Sequence, residues 1–153
     1  PPPPLFFNDP STTEIYSVYK SSAASDVYKR QHDIYGAELV TVRNTPECVD
    51  HYVKSWRDAG IFVTAGTEHN TLDRIPVEPT CLKGVPISEG SKAITWEGVC
   101  VVAAHQHLKQ QGEVGYVDES GALNPGFPDA ETRIRYFSEL GAHLIHEATG
   151  TVR

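Results

Sequence analysis

The chain has 153 residues, which is the size of one domain, and its 39% of hydrophobic residues is typical of a globular protein. Its formal net charge of −7 argues against a nucleic-acid-binding protein, which would need a basic surface. No apolar run approaches the roughly 20 residues that span a bilayer. The three cysteines are too widely spaced for a disulfide framework or a thiolate zinc site. We therefore expect a cytoplasmic protein without nucleic-acid or membrane partners, and its oligomeric state stays open.

The first 31 residues differ in character from the rest. Residues 21–31 (SSAASDVYKRQ) can be back-translated into a transposase adapter used to prepare sequencing libraries, and residues 12–16 (TTEIY) into the flow-cell adapter that precedes it. We interpret residues 1–31 as a non-native segment and residues 32–153 as a single domain. We also expect that natural sequence upstream of His32 has been replaced.

The first elements after this segment predict a β-α-β unit. Residues 37–42 (AELVTV) are rich in β-formers and predict a strand. Thr45 and the proline after it predict a helix start. The helix carries one apolar stripe at i, i+3, i+4 and i+7 and ends near Gly60. Residues 61–65 (IFVTA) predict a second strand.

The second half of the chain predicts two further helices and two further strands. A helix begins at Ser88 and is expected to end at Gly98. Residues 99–104 (VCVVAA) then form a nearly uniform apolar run, as expected for a strand buried on both faces. A third helix is expected to end at Gly141, and residues 142–146 (AHLIH) are the last strand candidate.

Strands that alternate with helices predict an α/β fold with parallel strands. Four such strands suit either a small open sheet or part of a (β/α) barrel. Because natural sequence is expected to be missing upstream, we favour a partial (β/α) barrel.

The ends of the predicted strands carry the polar residues of interest, because sites form at the carboxyl ends of strands in both architectures. These residues are Arg43, Glu68, His69, His105, His107, His146 and Glu147. Imidazole and carboxylate groups are ligands that suit zinc, manganese and iron. A divalent ion lowers the pKa of a bound water to about 7 and so supplies a hydroxide nucleophile. We predict Glu68 and His105 as catalytic metal ligands, His69 and His107 as further metal ligands, and Arg43 as a substrate contact.

Each of these residues also has a structural interpretation, which the sequence leaves open. Glu68 could be a solvated loop carboxylate, and His105 could be a hydrogen-bonded core histidine. Arg43 could be a solvated arginine at the sheet edge. Asp118, which lies in a predicted loop, is typical of a turn residue.

Two short motifs resemble the PHP family (polymerase and histidinol phosphatase). Residues 64–70 (TAGTEHN) resemble its Gly-x-Glu strand end, and residues 101–105 (VVAAH) resemble its later strand that ends in a ligand histidine. The resemblance implies a distorted (β/α) barrel that binds a cluster of divalent metal ions and hydrolyses a small phosphorylated substrate. It implies Glu68 as the metal-bridging carboxylate and His105 as a metal ligand.

The family's opening His-x-His and its later Asp-x-His have no match here. We therefore expect a fragment that binds metal weakly and does not hydrolyse phosphate esters. Two alternatives stay open. One is another metal-dependent barrel enzyme, amidohydrolase-like or a sugar lyase or isomerase, which the His-x-His spacing of His105 and His107 would support. The other is a non-catalytic binding domain.

Overall fold

The structure is a computed structural model that describes residues 34–67 and 78–150. The elements, in chain order, are strand β1 (Gly36–Val40), a 3-10 turn (Thr41–Arg43), helix α1 (Pro46–Asp58), strand β2 (Phe62–Gly66), a second 3-10 turn (Leu82–Gly84), helix α2 (Glu89–Gln110) and helix α3 (Ala130–Thr149). The predicted α/β class is confirmed for this part of the chain. The predicted adapter-like segment, 1–31, lies outside the described residues.

The β1-α1-β2 unit has the predicted form, with boundaries shifted by one or two residues. The two strands are parallel, and their register runs from Gly36 beside Phe62 to Val40 beside Gly66. The hydroxyl of Thr45 accepts a hydrogen bond from the third residue of α1 at 3.4 Å, which caps the helix start. The local signals of this unit therefore agree with its tertiary structure.

Each face of the two-stranded sheet contacts a different hydrophobic cluster, because side chains alternate along a strand. Val63 packs with Val49 and Val53 of α1, and Leu39 lies against the same cluster. Phe62 faces the other way, onto the cluster formed by α2, α3 and Tyr116. The sheet thus lies between α1 on one side and the α2–α3 pair on the other.

Residues 99–104 are not a strand, as the sequence predicted, but the middle of α2. The run is apolar because α2 contacts β2, α1 and α3 at once. Its buried members, Cys100, Val101 and Ala104, lie within an arc of about 100°, and the buried residues that precede the run, Ser91, Thr95 and Gly98, lie on the other side of the helix. A short apolar run has the same composition in a buried strand and in a buried helix, and periodicity does not separate the two.

Residues 142–146 are likewise helical and belong to α3, so the fourth predicted strand is also wrong. Neither Gly98 nor Gly141 ends its helix. A Cβ atom on Gly98 would collide with the backbone of Val63, and one on Gly141 would collide with the backbone of Cys100. Both glycines therefore allow close packing between elements. None of the helices in the described residues is long and apolar enough to cross a membrane.

Two polar contacts tie the helices together. The Arg57 guanidinium of α1 binds the carboxylates of Glu97 in α2 and Glu131 in α3. At the other end of α1, the Asp50 carboxylate accepts hydrogen bonds from the hydroxyls of Ser88 and Ser91, both at 2.6 Å. Because Ser88 caps α2, this second contact fixes the start of α2 against α1.

Candidate functional site

The carboxyl ends of β1 and β2 lie side by side, with Val40 paired to Gly66. The turn after β1 is held by the Asn44 side chain, which donates to the Val40 carbonyl at 2.8 Å. Arg43 is exposed in this turn, next to the strand end where the sequence placed it. Thr67 is the last described residue after β2. The predicted ligands Glu68 and His69 lie outside the described residues.

His105 is not at a strand end but on α2. Its Nδ1 accepts a hydrogen bond from the backbone N–H of Tyr116 at 3.0 Å. The ring lies against Gly115, where a Cβ atom would collide with it. Burial lowers the pKa of His105, and the positive charge of Lys109 lowers it further. The ring is therefore neutral at pH 7.

This hydrogen bond fixes the position of the ring proton. A neutral imidazole whose Nδ1 accepts a hydrogen bond carries its proton on Nε2. A protonated Nε2 has no lone pair for a metal ion. The arrangement of His105 therefore makes it a hydrogen-bond donor through Nε2, and its predicted role as a metal ligand is not supported.

His107 lies two residues further along the same helix, which turns about 100° per residue. It therefore projects from the opposite side of α2 and cannot share an ion with His105. Its Nε2 instead lies 2.9 Å from the Gln111 side-chain nitrogen. The His-x-His spacing thus gives no support to the alternative metal-dependent barrels.

The remaining strand-end candidates are also helical. His146 and Glu147 lie exposed on α3, and the His146 ring stacks on Trp96 with 6.4 Å between centroids. Asp118 is a turn residue, since one of its oxygens accepts from the backbone N–H groups of Ser120 and Ala122. Within residues 34–67 and 78–150, no three His, Cys, Asp or Glu side chains converge as a metal site.

A different set of residues forms a cavity of about 380 Å³ between the sheet and α2, which we name the sheet-face groove. It is lined by residues 35–38, Phe62, Thr64, Val101, Val102, His105, Tyr116 and Val117. The Tyr116 ring is only 3% exposed and meets the Phe62 ring edge-to-face, with 5.2 Å between centroids. The groove thus has an apolar, aromatic floor on the face of the sheet that is turned away from α1.

Glu38 is the carboxylate of the groove. It pairs with Thr64 in the register, and its side chain lies over Gly66, where a Cβ atom would collide with it. The side chain is exposed and makes no hydrogen bond or ion pair to any residue that the structure describes. This places a carboxylate without a partner in residues 34–67 and 78–150 at the end of the groove nearest the carboxyl ends of the strands.

Sequence reasoning missed Glu38, Thr64 and Tyr116 as groove residues. The first two lie on the two strands that the sequence predicts, and they share a face of the sheet because they are register partners. Tyr116 follows a helix that was predicted to end much earlier, and no sequence pattern places it beneath the sheet. Comparisons with protein-family models, with curated proteins and with solved structures found no match to this chain.

Proposed function

We propose that this chain is part of a divalent-metal-dependent phosphoesterase of the PHP type, built on a partial (β/α) barrel. One observation carries the proposal: β1 and β2 are parallel and end side by side, immediately before the segment that contains Glu68. Sites in barrels of this class form at that edge. The resemblance of residues 64–70 to the family's Gly-x-Glu strand end supplies the chemistry.

The proposal gives Glu68 the role of metal-bridging carboxylate, with His69 as a further ligand candidate. Arg43, exposed at the neighbouring strand end, would contact the anionic group of a phosphorylated substrate. His105 is left out of the ligand set, because its Nε2 carries the ring proton. The described residues do not fit a metal site by themselves, so no catalytic step is assigned to them.

Manganese binding tests this proposal directly. We expect the chain to bind Mn²⁺ weakly, and we expect Glu68→Gln to weaken binding by about tenfold or more through loss of a charged ligand. Glu78→Gln is the matched control, since Glu78 is an exposed carboxylate ten residues further along. Titration calorimetry would measure both variants. Equal Mn²⁺ affinity of the two variants would refute the assignment of Glu68.

Hydrolysis of p-nitrophenyl phosphate with added Mn²⁺ tests whether the site is complete. Because the family's opening His-x-His has no match upstream of Glu68, we expect no turnover. Turnover that Glu68→Ala abolishes would support the metal-dependent activity but contradict the expectation of an incomplete site. The two parts of the proposal can therefore fail separately.

A further inference from the structure

The sheet-face groove has the size and lining of a small-molecule site. Its volume of about 380 Å³ lies at the lower end of the range for ligand pockets, which is about 300–1,000 Å³. Such pockets combine an apolar wall with a few polar groups that orient the ligand. Here the accessible apolar wall consists of the half-buried Phe62, Val102 and Val117, and the polar groups are Glu38, Thr64 and His105.

Two of these polar groups have hydrogen-bonding capacity to spare. The Glu38 carboxylate is a pure acceptor and has no partner within the described parts of the chain. The Nε2–H of His105 is a donor, and among the described residues the ring's hydrogen bond is the one that its Nδ1 accepts from Tyr116. A ligand in the groove could therefore both donate to Glu38 and accept from His105.

The charge of the groove selects the sign of the ligand. Of the lining residues that the structure describes, Glu38 is the acidic one, and none is a lysine or an arginine. The whole chain is acidic as well, with a formal net charge of −7. An anionic ligand such as a phosphate ester would meet repulsion here, whereas a cation would meet an unpaired carboxylate.

The aromatic rings favour the same kind of ligand. The Phe62 and Tyr116 rings lie in contact on the floor of the groove. The Phe62 ring is the accessible one, because the Tyr116 ring is only 3% exposed and has the Arg133 guanidinium 5.5 Å from its centroid. An apolar ligand group would be stabilised on Phe62 by burial, and a nearby positive charge would be attracted to that ring. We infer that the sheet-face groove binds a small organic cation, with its ammonium group at Glu38 and its aromatic or aliphatic body on Phe62, Val102 and Val117. This inference does not depend on the metal site proposed at Glu68.

Three matched probes test the inference on the full chain. Phenethylamine carries the positive charge, 2-phenylethanol is a neutral analogue, and 3-phenylpropionate is an anionic one. Each would be titrated into ¹⁵N-labelled protein and followed by amide chemical shifts. We expect saturable shifts at Glu38, Gly66 and His105 with the amine, about tenfold weaker binding of the alcohol, and no saturable binding of the carboxylate.

Charge-neutral variants assign the effect to one residue. Glu38→Gln should reduce the affinity for phenethylamine to that of 2-phenylethanol and leave the affinity for the alcohol unchanged. Glu113→Gln is the matched control, because Glu113 is also exposed but does not line the groove. The inference is overturned if amine and alcohol bind equally, if no probe binds at millimolar concentration, or if the saturable shifts lie away from the groove.

Discussion

Replacing Gly98 with alanine tests the closest approach of α2 to the sheet. A Cβ atom there would lie 2.6 Å from the carbonyl carbon and 3.2 Å from the amide nitrogen of Val63, and it would overlap the carbonyl oxygen. Overpacking of this kind costs about 1–3 kcal/mol, and the higher helix propensity of alanine offsets about 1 kcal/mol. Because backbone atoms cannot rotate away, we take the upper end. The expected net loss is about 1–2 kcal/mol in the free energy of unfolding.

Gly90→Ala is the control on the same helix. The nearest atom to its Cβ would be the Ser88 hydroxyl oxygen at 3.9 Å, so there is room for the methyl group. Alanine should stabilise the helix here by up to about 1 kcal/mol. Urea denaturation followed by circular dichroism should separate the two midpoints by about 1 M, given a typical m-value. A higher midpoint for both variants would refute the close contact between α2 and β2 at Gly98.

Three further predictions concern polar contacts. Asp50→Asn should lower the free energy of unfolding by about 1–2 kcal/mol, because the hydroxyls of Ser88, the N-cap of α2, and Ser91 donate to this carboxylate. Those bonds lower the pKa of Asp50. The difference in unfolding free energy between the wild type and the variant should therefore be complete above about pH 4 and disappear as the pH falls through the lowered pKa, and urea titrations at several pH values would measure it. Arg57→Gln should lower the free energy of unfolding, measured by thermal denaturation, by about 2 kcal/mol, because Arg57 loses its two carboxylate partners. Lys54→Gln is the control and removes an exposed ion pair with Asp58, so it should change this free energy by less than about 0.5 kcal/mol. His105 should show an Nε2–H tautomer by ¹⁵N NMR, and a neutral Nδ1–H tautomer would contradict its bond to Tyr116. Burial lowers the pKa of His105, so the contribution of this residue to the free energy of unfolding should be complete above about pH 6.5 and decrease as the pH drops towards the lowered pKa. His105→Asn should remove this decrease from the plot of unfolding free energy against pH.

The β1-α1-β2 unit could be predicted because its signals are local. Thr45 caps α1, and Gly60, with a φ of 80°, follows its end. Helix α1 is amphipathic, because its apolar stripe packs on the sheet and its other side is exposed. Periodicity reports such a one-sided environment well.

The second half could not be predicted in the same way, because α2 is buried on several sides. Its apolar run lacks the polar face that identifies a helix. Gly98 and Gly141 look like helix ends in the sequence, yet each lies against the backbone of another element. A glycine that ends a helix and a glycine that permits close packing have the same sequence signature until the tertiary contact is known.

The candidate site followed from these assignments. In the sequence, His105 and His107 follow an apolar run that predicts a strand, and His146 ends the last strand candidate, so all three are predicted at strand ends. With α2 and α3 as helices, the strand-end argument holds only for the positions that follow β1 and β2, namely Arg43 and the segment beginning at Thr67. The chemistry of His105 depends on the N–H of Tyr116, eleven residues away, which no spacing rule anticipates.

The two proposed sites make opposite electrostatic demands, and this keeps them distinguishable. A phosphorylated substrate needs cations, and Arg43 offers one at the exposed strand edge. The described lining of the sheet-face groove contains a carboxylate and no lysine or arginine, so we expect it to repel the same substrate. Glu38 lies over Gly66, near the carboxyl end of β2, and therefore borders both regions. Inorganic phosphate should then fail to displace phenethylamine from the groove, whereas competition between the two would mean that one site binds both.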